Sequence, residues 1–184
     1  MVRNQSIMAG HSMGTLYRYF LIFAACGSLL LGIQIPNFVD QYEMRLDAHI
    51  SEVKNNLQGY QEIADRLYDG SITTLISKHE QSDDQTFKQE AQPIRNMLDR
   101  YEHFKQEQAS LATGLAGKIT YLLAKGDREL INETSANYSF NIPLNEAAVV
   151  SGFSFMVIVV FIVEFLRWIA TKLFRQNRRN IKHA

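Results

Sequence analysis

Apolar residues along this chain follow two patterns. Near each end there is a continuous apolar run, Tyr19 to Ile35 and Ala147 to Val163, each 17 residues without a charge. With flanking Tyr17, Leu144 or Phe165 each run reaches roughly 20 residues, enough for a helix to cross a bilayer. Between the runs the apolar positions are periodic instead. Leu46, Ile50, Val53, Leu57, Tyr60, Ala64 and Leu67 alternate four and three apart, a heptad-like stripe that Val39 and Tyr42 extend backwards. Asp69-Gly70 offers a stop, since glycine accepts the left-handed backbone at a helix C-terminus. The pattern predicts a helix over about 37–69, roughly 50 Å long and too long to fold back on a compact globule.

A second stripe follows at Phe87, Ala91, Ile94, Leu98 and Tyr101, then Gln108 and Leu111, with Ser82-Asp83-Asp84 as capping candidates. Pro93 either kinks this helix or marks the first turn of one running to about 113. Ile72, Leu75, Ile76 and His79 predict a short amphipathic helix. Leu115, Ile119 and Leu122 predict another before Gly126-Asp127, and a last one covers Asp127 to Thr134. Tyr138 to Ile142 alternates as a strand does, but is short and abuts Pro143. The expected fold is all-α: two transmembrane helices joined by a periplasmic antiparallel helical hairpin or small bundle with coiled-coil-like seams. Its divisions are 1–15 (cytoplasmic), 16–35 (first span), 36–143 (helical domain), 144–166 (second span) and 167–184 (basic tail).

Charge sharpens this picture. The formal net charge of zero hides a partition, because the chain outside Pro36 to Glu146 carries +7 and the chain inside carries −7. Arg3 and Arg18 precede the first run; Arg167, Lys172, Arg175, Arg178, Arg179 and Lys182 follow the second. Basic residues close to span ends are retained in the cytoplasm, so both termini are expected there and the acidic middle outside, in a bacterium the periplasm. The basic tail also has the look of a lipid- or nucleic-acid-binding patch. Topology is the favoured reading, and no nucleic acid is expected as a partner. The single cysteine, Cys26, sits in the first run, so the middle contains no disulfide of its own. Phe23-Ala24-Ala25-Cys26 loosely resembles a lipobox, but its Phe departs from that pattern and Leu29-Leu30-Leu31 keeps the run apolar. A cleaved signal peptide is disfavoured by the length of the run, so an uncleaved anchor is expected. Met8 and Met13 offer alternative starts. Pro36 and Pro143 mark the outer borders of the runs, where a helix is expected to change direction.

Small residues repeat every four positions at Ala24, Ser28 and Gly32 in the first run and at Ala148 and Gly152 in the second. Such faces let helices approach closely in lipid, and these two are expected to pack on each other. Glu164 is the only acid near the cytoplasmic boundary, and an ionisable group at that depth is usually paired. Arg167 on its own helix and Arg18 on the other are the expected partners. Tyr17, Tyr19 and Trp168 fit an aromatic belt at the same interface.

No catalytic, cofactor-binding or metal-binding residue emerges. Of the five histidines, His49, His79 and His103 lie in the helical middle, but neither Glu-x-x-His nor His-Glu-x-x-His occurs, and there is no cysteine pair. Phosphate-cradling loops and nucleophile elbows are missing too. Asn132-Glu133-Thr134 and Asn137-Tyr138-Ser139 match the glycosylation sequon, a motif too short to carry weight.

Two segments resemble a known family. Ile35-Pro36-Asn37-Phe38-Val39-Asp40-Gln41-Tyr42 with Arg45-Leu46 and His49, and Tyr138 to Leu144 leading into a run that contains Gly152, are similar to the markers of an uncharacterised bacterial family of small two-span inner-membrane proteins. The resemblance covers about 16–170 and brings a domain of unknown function with no activity or substrate. The expectation is a non-enzymatic membrane protein without cofactors, whose partners are the bilayer, a second copy, or an unidentified membrane or periplasmic protein. A sensory input module and an accessory subunit of a transporter or envelope enzyme are the alternatives. Only about 20 residues follow the second run, too few for a signalling domain of its own.

Overall fold

The computed structural model describes the backbone of residues 5–143 and 145–180, and the side chains of 14–143 and 145–172. Six helices and no strand occur among the described residues: α1 (Gln5–Leu67), α2 (Ile72–Glu80), α3 (Gln85–Ser110), α4 (Leu115–Lys125), α5 (Arg128–Ala136) and α6 (Glu146–Asn180). The alternating segment Tyr138 to Ile142 is therefore no strand, having no partner edge beside it. Leu144, Arg3 and Lys182 lie outside the described residues, as do the side chains of Arg175, Arg178 and Arg179. The chain divides into two compact units, Met1–Asn37 with Ser139–Ala184, and Phe38–Tyr138.

Both α1 and α6 are long and apolar enough to cross a membrane, and the first unit contains α6 with the part of α1 up to Asn37. The expected change of direction at Pro36 does not end α1, which continues through it to Leu67. The reason lies four residues earlier. Proline has no N–H, so the Gly32 carbonyl loses its intrahelical donor. The Ser151 hydroxyl of α6 donates to that carbonyl instead, at 2.8 Å. A neighbouring hydroxyl of this kind is what lets a helix tolerate proline away from water. Nor does α6 stop at 166; it continues to Asn180, so the basic tail begins as helix. At its start the Asn145 side chain accepts from the Ala148 amide at 2.8 Å, an N-cap. Asn37 donates to the Ser139 carbonyl at 3.2 Å and Gln34 to that of Asn141 at 3.1 Å, tying the approach to α6 onto α1.

The second unit is a helical core. From the first stripe Val39, Tyr42, Leu46, Ile50, Val53, Leu57 and Ala64 are buried; α3 contributes Ala91, Ile94 and Phe104, and the later helices Leu122 and Leu130. Contacts step down α3 as they step up α1: Tyr42 bonds Glu107, and the His49 ring lies 5.6 Å from that of Phe104. Helix α1 stops where expected. Asp69 and Gly70 take positive φ, 51° and 82°, and the Gly70 amide reaches back to the Ala64 carbonyl at 3.1 Å. Pro93 neither starts α3 nor ends it, lying inside Gln85–Ser110 on an exposed face, where a carbonyl that loses its helical donor costs little. Asp84 caps α3 by accepting from the Thr86 amide at 2.8 Å.

Candidate functional site

In the first unit the small residues bring the two helices into near backbone contact. A Cβ on Gly32 would lie 2.7 Å from the Phe155 Cβ and 2.8 Å from the Gly152 Cα; one on Gly152 would meet the Ile33 side chain at 2.8 Å. Neither position has room for a methyl group. Ser28 and Ala148 are buried with them, whereas Ala24 is only partly covered. Most of the remaining surface is greasy: Phe20, Phe23, Leu31, Val157 and Phe161 are all more than half exposed.

Glu164 accepts a hydrogen bond from the Tyr17 hydroxyl at 3.0 Å and lies 3.7 Å from the Arg167 guanidinium, which itself stacks 4.1 Å from the Tyr17 ring centre. The expected partner Arg18 makes no ion pair with Glu164, which corrects the sequence reading. Adjacent helical residues point about 100° apart, so only one of Tyr17 and Arg18 faces α6. Tyr19 and Trp168 are exposed, with Trp168 stacked on Phe165 and under the Lys172 ammonium.

The second unit contains two polar clusters and a groove. Glu133 of α5 receives Arg45 at 3.0 Å and the His49 ring at 2.8 Å, and these two, the His49 hydrogen bond foremost, hold its carboxyl below the ordinary range. The other cluster centres on Glu107, an acid only 2% exposed in the core. Its Oε1 accepts from the Tyr42 hydroxyl and, at 3.0 Å, from the Asp127 amide. Burial first, and then the Glu107 carboxylate, push the Tyr42 phenol well above its ordinary value. Asp127 caps α5, its Oδ1 accepting from the Glu129 and Leu130 amides at 2.8 and 3.1 Å, while His103 lies 3.2 Å from Oδ2. Burial alone would raise the Asp127 carboxyl, but the Leu130 amide, His103 and the Glu129 amide together hold it low. The facing donor atoms of His103, Glu107 and Asp127 all lie within 4.8 Å of one another, a set able to hold a metal ion. A groove of about 370 Å³ is lined by Leu57, Ile72, Leu98 and Tyr101 together with Lys54 and Asp65.

Sequence reasoning missed the Glu107 cluster, though one signal was present: His103 and Glu107 are four apart, one turn of helix, a spacing different from the motifs sought. Tyr42, Arg45 and His49, three residues of the first familiar segment, prove to be the α1 anchors of the two clusters.

Among the described residues these features define an all-helical chain with two helices of membrane-spanning length and a second compact unit, Phe38–Tyr138. The chain belongs to the family described as protein of unknown function (DUF2937), which matches residues 16–176. No curated protein and no solved structure matches it significantly.

Proposed function

We propose that this chain is a non-enzymatic structural or interaction protein of a bacterial inner membrane, with both termini cytoplasmic and the unit Phe38–Tyr138 in the periplasm. There the helical hairpin presents its polar surface to a protein partner or to a second copy. The observation that carries this reading is the exposure of large apolar side chains all along two membrane-length helices. Such a surface is far larger than water tolerates on a soluble monomer, and lipid is the natural cover for it. The +7/−7 partition of charge supports the orientation. Phosphatase fused near residue 100 is expected to be active and a fluorescent-protein fusion there dark, with the chain retained through a carbonate wash. The reverse pattern, or release by carbonate, overturns the reading. Crosslinking in native membranes then separates a heterologous partner from self-association.

The groove beside Tyr101 favours a second reading, a ligand-binding input module that works through a separate cytoplasmic partner. A thermal shift of the full chain with a small molecule, abolished by Leu98→Trp in the groove wall, would establish it. An unshifted transition across periplasmic metabolites would leave the first reading standing.

A further inference from the structure

We infer that His103, Glu107 and Asp127 form a binding site for one divalent transition cation of the zinc or manganese kind. This goes beyond the proposed function and is independent of topology, since all three residues lie within the unit Phe38–Tyr138. The observation that points to a ligand is Glu107 itself. It is 2% exposed, yet its Oε2 accepts no hydrogen bond, and the His103 Nε2 lies 3.9 Å away. A buried carboxylate oxygen with no donor is costly, and a cation is one of the few groups that satisfy it.

The rest of the cluster has the form such an ion requires. Each carboxylate has one oxygen anchored and one released towards the others. Glu107 Oε1 is held by Tyr42 and the Asp127 amide, which leaves Oε2; Asp127 Oδ1 is held by two amides of α5, which leaves Oδ2. Groups that fix a ligand's orientation from behind are a regular part of metal sites. Donors around an ion with bonds of about 2.1 Å stand roughly 3–3.5 Å apart. The His103–Asp127 pair is already at 3.2 Å and His103–Glu107 is at 3.9 Å, while the three donor atoms together lie within 4.8 Å of one another, so the set draws inward around an ion. The His103 side chain is 58% exposed, which gives it room to shift while keeping its contact with Asp127. One imidazole with two carboxylates selects a borderline cation over magnesium or calcium, which prefer all-oxygen shells. Three protein ligands leave the remaining coordination to water from the exposed His103 side.

The test uses the tag-free full chain in detergent, stripped with chelator and then titrated calorimetrically with Zn2+, Mn2+ or Mg2+ alone. Expected is one Zn2+ or Mn2+ per chain, with a rise in the unfolding midpoint of about 5 °C at saturation. His103→Ala removes an exposed ligand and leaves the fold intact by circular dichroism; it should weaken binding at least about 100-fold and abolish the thermal shift. Glu107→Gln retains an oxygen for Tyr42 and the Asp127 amide and should do the same. Wild type that binds neither ion saturably, or only Mg2+, overturns the site, as does equal affinity in wild type and His103→Ala.

Discussion

Along the first half of α1, up to Asn37, the large side chains Phe20, Phe23, Leu30 and Leu31 lie exposed and what is buried against α6 is small, Ser28 and Gly32. Along the second half, from Phe38, the arrangement reverses: Val39, Tyr42, Leu46, Ile50 and Val53 are buried and most of the polar residues are exposed, Arg45 and His49 being turned towards Glu133. One helix thus follows two packing rules. In water, burial of large apolar groups drives helices together. In lipid that drive is absent, and close backbone approach with hydroxyl-to-carbonyl bonds takes its place. The change of rule falls at Pro36 to Phe38, within one continuous helix whose single missing backbone donor is Pro36 itself.

The sharpest way to break this comparison is truncation in the helical core. Ile94→Ala, at a fully buried position, should cost about 2–5 kcal/mol, read as a lowered unfolding midpoint of the helical unit while the α1–α6 contact survives. Next comes Gly152→Leu, whose side chain meets Ile33 and Leu29. Overpacking of this kind costs about 1–3 kcal/mol, measured as lost resistance to SDS unfolding, whereas the exposed Leu30→Ala should stay within about 0.5 kcal/mol. If Leu30→Ala proved the more damaging, the two rules would not differ as described. Ser151→Ala is subtler. It should cost roughly 0.6 kcal/mol, and close to nothing in a Pro36→Ala background, where the restored amide serves the Gly32 carbonyl again. Equal costs in both backgrounds would remove the compensation argument.

The smallest effects are those of pH, and they belong to the helical unit. Asp127 and Glu133 are both held below their ordinary values of 3.8 and 4.5, so the stability they contribute is complete above that range and is lost as pH falls through it. Tyr42 is displaced the opposite way. Its contribution is complete below the ordinary value of 10.0 and is lost at more alkaline pH, where the unfolded chain ionises and the buried phenol does not. Glu133→Gln should flatten the acid limb and Tyr42→Phe the alkaline one, both followed by thermal melts across pH.

Much of the helical plan was legible because it rests on periodicity. The first stripe named nearly the whole buried face of α1, failing at Leu67, which is 67% exposed because the chain turns away directly after it. The second was less complete. Phe87 is half exposed, its ring edge-on to His79, while Phe104 is buried though the stripe passed over it. Beyond Tyr101 the buried positions run 104, 107 and 111, and an acid at 107 does not look like core to any pattern of apolar residues. Its partners lie 65 and 20 residues away, a distance no local spacing reveals.

What the sequence by itself determined are the properties a single helix carries alone: which segments are apolar throughout, which are striped, where small residues recur and where charge changes sign. Tertiary structure decided the pairings. Tyr17 rather than Arg18 meets Glu164, Ser151 replaces the donor that Pro36 lacks, and Tyr42 with Asp127 makes a buried Glu107 tolerable. Each depends on which side chain of one helix happens to face a polar atom of another, and that is set by rotation and register between elements rather than by the composition of either.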